Sequence, residues 1–421
     1  MRDFVQKSLN FPKTKLSRRN YRGKLKMLNQ LSVHQNQKIL NWREKNIQNF
    51  GIDLSFADVP EWERTKHVHR LHPYLGKFIP QLVEVFLKKY FKKGQTILDP
   101  FVGSGTTLIE ANLLNMNSIG IELSEFSYLI AKVKIEKYNI KLVEKEILDI
   151  LNKTKEFSQK IEKKQRTLFD ENGFDFEPSE YFKIWYHPRA IKEIYFYRSL
   201  IPNYTNQDIL KIILSRAARS ARQIPHYDLA RPKKPVKERY WCIKHHRYCY
   251  PVDNAIKFIT RYSLDTIKRI KEFDKLRTEA KIILLQGDAR KIKLPIGKEI
   301  DGIFTSPPYL GLIDYHNQHR YAYELFHFKE YPEAEIGSPN KTGNDRKENY
   351  KKDIIAVLKN MANYLKTGAK IFIVVNDKHN LYPEIAKECG LKFIDVFHRP
   401  VLMRTERDNN RFSESIYYFT L

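Results

Sequence analysis

The stretch Ile97-Leu98-Asp99-Pro100-Phe101-Val102-Gly103-Ser104-Gly105-Thr106-Thr107 restricts the possible folds of this chain more than any other. An apolar strand runs into a turn holding two glycines, and a helix is predicted over 108–114. Backbone amides and the positive helix end therefore face whatever sits in the turn. A second strand, Ser118-Ile119-Gly120-Ile121-Glu122, follows at the spacing of a βαβ unit and ends in a carboxylate that can accept from ribose hydroxyls. The pocket is of nucleotide type. It is not a P-loop, because the Gly-Lys-Ser/Thr ending is missing, and it is not the dinucleotide G-x-G-x-x-G turn.

A second element, Thr305-Ser306-Pro307-Pro308-Tyr309, follows the short apolar run Asp301-Gly302-Ile303-Phe304. It reads as a buried strand ending in a rigid loop. Two consecutive prolines fix φ and remove two N–H groups, so the neighbouring carbonyls are acceptors aimed in a set direction. Such a loop suits a planar ring carrying an exocyclic amine. Ser306 Oγ and the Ser306 or Pro307 carbonyl would accept both amine hydrogens while Tyr309 stacks on the ring face. Drawing both hydrogens into bonds favours the pyramidal, nucleophilic amine. Taken alone, the motif is equally a Pro-rich turn at a strand end.

Together the two motifs closely resemble the S-adenosylmethionine-dependent DNA amino-methyltransferases of restriction-modification systems. The resemblance assigns the cofactor to Asp99, Pro100, Phe101, Gly103, Ser104, Gly105, Thr106 and Thr107, with Glu122, Leu123 and Thr305, and leaves S-adenosylhomocysteine as product. It assigns catalysis to Ser306, Pro307, Pro308 and Tyr309. The segment from Arg70 to Leu82 resembles the part that closes over the methionine end of the cofactor, adding Lys77 and Phe78. Gly287-Asp288-Ala289-Arg290 resembles the segment whose acid contacts the adenine, adding Asp288 and Ala289. Serine in the first position of the catalytic motif resembles the cytosine-specific members, which implies N4-methylcytosine; N6-methyladenine is the alternative. An RNA guanine-N2 methyltransferase is a more distant one, since those enzymes usually carry Asp or Asn before the prolines.

The net charge of +26 over 421 residues implies a polyanionic partner, which the resemblance makes double-stranded DNA. It also leaves room for a cognate restriction endonuclease. No apolar run approaches the length of a spanning helix and no secretory h-region opens the chain, so a cytoplasmic protein is expected. Three cysteines, Cys242, Cys249 and Cys389, are too few for a disulfide framework.

Four regions are expected. Residues 1–60 form a basic segment, with Lys13, Lys15, Arg18, Arg19, Arg22, Lys24 and Lys26 ahead of a helix ending near Phe50 that docks on the main body. Residues 61–138 hold the cofactor motif. Residues 139–279 read as a largely helical basic insertion and are the expected target-recognition region, with Arg216, Arg219, Arg222, Arg231, Lys233, Lys234, Lys237 and Arg239 as DNA contacts. Residues 280–421 hold the catalytic motif. The whole is an α/β fold: a Rossmann-like methyltransferase sheet of about seven strands, mostly parallel, closed by an antiparallel pair over 392–401 and 413–421.

Two clusters invite a metal reading. His67, His69 and His72 lack the helical spacing of a zinc enzyme, and the proposed chemistry requires no metal. Cys242, His245, His246 and Cys249 crowd one short loop that can hardly wrap one ion with all four, so a basic loop with two idle thiols is expected and no metal is assigned. Asp314 is expected as a helix N-cap rather than a wall of the base pocket. The Pro-, Gly- and charge-rich stretch over 330–349 is expected as a lid or DNA-contacting loop.

Overall fold

The computed structural model describes residues 33–163, 177–229, 232–311, 314–337, 345–401 and 412–421. The basic run from Lys13 to Lys26, and Arg231, lie outside them. The chain divides into two compact units, residues 1–53 and 54–421. In the first, helix α1 (Val33–Phe50) is followed by an ion pair, Arg43 Nε to Asp53 Oδ2 at 3.5 Å.

The second unit is built on a seven-stranded sheet. Its strands are β1 (Thr96–Asp99), β2 (Asn117–Glu122), β5 (Ile282–Gln286), β6 (Ile300–Thr305), β7 (Leu365–Val375), β8 (Lys392–Val401) and β9 (Phe412–Thr420). The strand order is β5-β2-β1-β6-β7-β9-β8. Pairing is parallel from β5 through β7, and β9 runs antiparallel to both its neighbours. The expected α/β methyltransferase sheet with its antiparallel closing pair is therefore present. A separate hairpin joins β3 (Tyr240–Cys242) to β4 (Arg247–Cys249), where sequence reading expected only a loop. Three-residue strands are too short for a period of two to register.

The sheet is covered on both faces, as parallel strands require. Alternation along β6 and β7 sends Ile303, Ile371 and Ile373 to one side, where they pack on α10 (Arg346–Ala362) through Ile354, Val357 and Met361 and on α11 (Tyr382–Glu388) through Ile385. Phe304 and Phe372 go to the other side and meet Phe86 of α2 (Pro80–Tyr90), with ring centroids 5.7 and 5.3 Å away. The approach is tight. A Cβ on Gly302 would collide with the Lys370 carbonyl oxygen and with the Phe91 ring.

After α3 (Thr106–Leu113) and α4 (Glu125–Ile135), the chain forms α5 (Ile140–Glu162), α6 (Pro188–Leu200), α7 (Gln207–Ala221) and α8 (Ile256–Asp274). The insertion is helical, as expected, and is not a free-standing module. Phe126 and Ile130 of α4 share one buried cluster with Ile147, Ile194, Ile213 and Ile259 of the insertion and Leu325 of α9 (Arg320–Phe326). Glu193, fully buried in α6, accepts from the Ala255 and Ile256 amides at 2.5 and 2.9 Å, placing a carboxylate at the start of α8 where the helix dipole favours it.

The order of connections reverses between β1 and β6. From β1 the chain moves outward through β2 to β5, and from β6 it moves the other way to β7. Ligands of open α/β sheets bind at such a switch point, beyond the carboxyl ends of the strands. Replacing Gly302 with Ala should destabilise the protein by about 1–3 kcal/mol through overpacking. Urea denaturation would show this as a lower midpoint at unchanged m-value.

Candidate active site

The two motifs leave β1 and β6 side by side, with Ile97 opposite Gly302 and Leu98 opposite Ile303. Thr305 Oγ1 donates to Asp99 Oδ1 at 2.6 Å, and the Phe101 amide reaches the same oxygen at 3.1 Å. Burial pushes the Asp99 carboxyl up to about 6, against these hydrogen bonds and one from Thr107.

Beyond the strand ends lies a cleft enclosing about 940 Å³ of space, open solvent at its mouth included. Lys77, Phe78, Pro100, Phe101, Gly103, Ser104, Thr106, Glu122, Leu123, Asp288 and Ala289 line it, together with Ser306 and Pro308 of the catalytic loop. The remaining residues singled out in the two motifs are held behind the walls. Asp99 and Thr305 are joined to each other, Thr107 Oγ1 reaches the Phe304 carbonyl at 3.3 Å, and Gly105 caps α3 with φ +82°. Pro307 and Tyr309 are buried.

The glycine turn is held from three directions. Gly103, at φ +50°, lies under the Tyr74 ring, where a Cβ would make contact at 3.4 Å. Its amide donates to Glu122 Oε2 at 2.8 Å, while the Ser124 amide donates to Oε1 at 2.9 Å. Each carboxylate oxygen thus keeps a lone pair for another donor. Burial nevertheless raises Glu122 to about 7, with backbone bonds from Ser124, Gly103 and Leu123 opposing it. Lys134, 1% exposed, donates to the Ser104 carbonyl at 2.8 Å. The hydroxyls of Ser104 and Thr106 are buried without a hydrogen-bond partner. Orphaned polar atoms beside a glycine turn and a buried carboxylate fit a polar nucleoside ligand.

Asp288 lines the cleft with its carboxylate gripped by Arg290, whose Nε and Nη2 lie within 3.0 Å of it. Burial acts to raise Asp288, but Arg290 outweighs it and holds the group below its usual range. Lys77 Nζ donates to the His69 carbonyl at 3.0 Å, and burial lowers its ammonium to about 8.

In the Pro-Pro loop, Ser306 Oγ makes a long contact of 3.4 Å to the Tyr309 hydroxyl, which donates to Glu414 Oε1 at 3.0 Å. Arg399 Nε lies 3.3 Å from the other Glu414 oxygen. Tyr350 takes up the Pro308 carbonyl at 2.9 Å. Asp314 is the N-cap expected of it, accepting from the Asn317 amide at 2.9 Å.

Sequence reading missed Tyr74, His316, Tyr331, Glu335 and Ile336, which complete the cleft wall. Tyr74 lies within the segment already matched to the cofactor-closing part of the family. The last three come from the stretch expected as a lid, whose residues 338–344 lie outside the described ones. Glu414 carried no signal, being 105 residues from Tyr309.

The arginine cluster divides. Arg216 is 6% exposed, bonded to Asp265 Oδ2 at 2.7 Å with its guanidinium 4.1 Å from the Tyr262 ring centroid. Arg222 is 5% exposed and bonded to the Leu229 carbonyl at 3.1 Å. Both are occupied inside the fold, and Arg219 is half-buried. Lys233, Lys234, Lys237 and Arg239 are exposed.

A switch-point cleft flanked by these two loops suits a polar nucleoside ligand, and sequence comparison supplies the class of protein. Residues 2–133 match the N6/N4 methyltransferase family described as DNA methylase. The chain is 43% identical to the type II methyltransferase M.MjaII of Methanocaldococcus jannaschii, over 90% of this chain and 85% of that one. It is 37% identical to M.BsoBI of Geobacillus stearothermophilus over 21% of this chain and 18% of that one, and 21% identical to M.MvaI of Kocuria varians over 65% and 59%. The chain belongs to the restriction-modification DNA methyltransferases of the N4/N6 amino class, and its cofactor is S-adenosylmethionine.

A neutral carboxyl is a poorer hydrogen-bond acceptor than a carboxylate, so a polar ligand held by Glu122 would bind better to its charged form. With its carboxyl near 7, the charged form fills as pH rises, so cofactor affinity should increase between about pH 6 and 8. Calorimetric titration of the parent should show this rise, and Glu122→Gln should weaken binding about tenfold or more and flatten the profile.

Proposed function

We propose that the protein methylates the exocyclic N4 of cytosine in duplex DNA, on a target base turned out of the stack. The observation that carries this reading is the placing of Ser306 on the wall of the cleft that Gly103 and Glu122 also line. Serine in that motif position supports cytosine over adenine. A paired base cannot present its amine in line with a donor held in such a cleft, which supports extrusion of the nucleotide.

S-adenosylmethionine supplies the electrophilic methyl group when bound. The chain's own part is to hold the amine. With the Ser306 hydroxyl turned toward Tyr309, and Tyr309 toward Glu414, the lone pairs of Ser306 Oγ are left as acceptors. Burial, together with the Glu414 charge, raises Tyr309 well above its ordinary value, so the phenol stays a donor across the working pH range. The Pro308 carbonyl is engaged by Tyr350, which leaves the Ser306 or Pro307 carbonyl as the second acceptor in this reading. Two accepted hydrogens localise the amine lone pair for direct attack on the methyl, and no covalent enzyme intermediate is required. DNA is gripped by Lys233, Lys234, Lys237 and Arg239, the exposed cations of the recognition segment.

Duplex DNA incubated with enzyme and S-adenosylmethionine, digested to nucleosides and analysed by mass spectrometry, should yield N4-methylcytosine. N6-methyladenine would keep the chemistry and reject the serine argument. Methylation of RNA alone would reject the reading. Ser306→Ala and Tyr309→Ala should each lower kcat by about a hundredfold or more with cofactor affinity within about twofold. Tyr309→Phe, which keeps the ring, should retain most activity; full activity in both alanine variants would sink the assigned roles. Neutralising the four exposed cations together should weaken DNA binding and shallow its salt dependence, by about 0.9 in the log–log slope for each phosphate no longer neutralised.

A further inference from the structure

By spacing alone, Cys242 and Cys249 read as idle thiols, because one short loop cannot close around an ion. The hairpin changes that geometry. Tyr240 pairs with Cys249 and Cys242 with Arg247, so the two cysteines occupy the same face of the ribbon while Trp241 and Tyr248 occupy the other. The thiols are 0% and 6% exposed; Trp241 and Tyr248 are 51% and 55% exposed. Between the strands, the chain turns through His246 in the left-handed region at φ +51°, and His245 Nδ1 comes to 3.4 Å from Cys249 Sγ.

The fourth group is not His246. It is His226, sixteen residues before Cys242, whose Nδ1 lies 3.9 Å from Cys242 Sγ. The His226 and His245 rings are 4.8 Å apart, and one ligand atom from each of the four residues lies within 4.8 Å of all the others. A tetrahedral ion with Zn–S near 2.3 Å and Zn–N near 2.0–2.1 Å spaces its ligands by roughly 3.3–3.8 Å. Closing the present cluster to that spacing takes side-chain adjustments of about 1 Å or less. We propose that His226, Cys242, His245 and Cys249 form a zinc site.

The wider surroundings favour this over two buried thiols. A hairpin with three-residue strands is marginal in water, and this one exposes Trp241, Ile243, Tyr248 and Tyr250 rather than burying them. It lacks the apolar core that would hold two cysteines inside, and a metal staple supplies what such a small element lacks. The cysteines form no disulfide. Two thiolates and two imidazoles select zinc among the common divalent ions by softness and geometry. Four protein ligands leave no open position, so the ion is structural and takes no part in methyl transfer. Tyr240 steadies the segment carrying His226: its hydroxyl accepts from the His226 backbone amide at 3.1 Å, tying that backbone to the hairpin.

A second cluster, His67, His69 and Glu110, lies equally close together. There Lys66 Nζ already bonds Glu110 Oε2 at 3.1 Å while His69 Nε2 meets Oε1 at 2.7 Å, so the carboxylate has its cation.

The full-length protein, expressed with zinc in the medium and purified without chelators, should carry about one equivalent of zinc by mass spectrometry of metals. Cys242→Ser/Cys249→Ser and His226→Ala should fall below about a tenth of that, and His246→Ala should keep it. Cobalt added to the metal-free parent should give the visible bands and thiolate charge transfer of a tetrahedral S2N2 site, absent in the double variant. Less than about a tenth of an equivalent in the parent with no cobalt spectrum, or full zinc in the double variant, overturns the proposal. If the double variant does not fold, His226→Ala and the cobalt titration of the parent decide. None of these readouts depends on methylation, so the site stands or falls apart from the reaction.

Discussion

The hydrogen bond from Thr305 to Asp99 joins the two halves of the site, and the rest of the arrangement depends on it. Both residues end parallel, adjacent strands, both are nearly inaccessible, and the bond is 2.6 Å long. Strands in parallel register deliver their following loops to the same edge of the sheet. The glycine turn and the Pro-Pro loop therefore open into one cleft although 206 residues separate the bonded pair. A buried carboxyl left without that donor would be more costly still to ionise, and the turn it also organises through the Phe101 amide would lose its anchor.

Around this joint three buried ionisable groups are answered by backbone rather than by an opposite charge. Glu122 is held by two amides, Lys134 by one carbonyl and Lys77 by another. Dipoles fixed in this way need no reorganisation when a ligand arrives, which is the advantage of a preorganised polar site. They also leave the groups only partly compensated. Burial accordingly moves Glu122 up to about 7 and Lys77 down to about 8, bringing both near neutrality.

The sheet and both loops were legible because they are local patterns: apolar runs of strand length ending in Gly- or Pro-containing turns. Groups that depend on distant partners were not. The arginines of α7 show why. Counted by charge, Arg216 belongs with Lys233 and Arg239. Counted by helical position, it lies three and four residues beyond Ile213 and Ile212, on the stripe that the helix buries, and its partner Asp265 is 49 residues away. Periodicity could have removed it from the DNA-facing set; composition alone could not. The metal cluster fails to show for a related reason. Its spacing in sequence names His246, while the hairpin turn sends that residue into the left-handed region and the missing ligand comes from His226.

Tyr309 shows how far the catalytic loop reaches into the fold. Its ring is 6% exposed, and its hydroxyl is tied to Glu414 on β9, which Arg399 on β8 holds in turn. The antiparallel pair at the sheet edge therefore does more than close the sheet, since it fixes the side chain that follows the prolines. Removing the hydroxyl and removing the ring are consequently different perturbations, one acting on the contacts to Ser306 and Glu414 and the other on the packing of the buried ring.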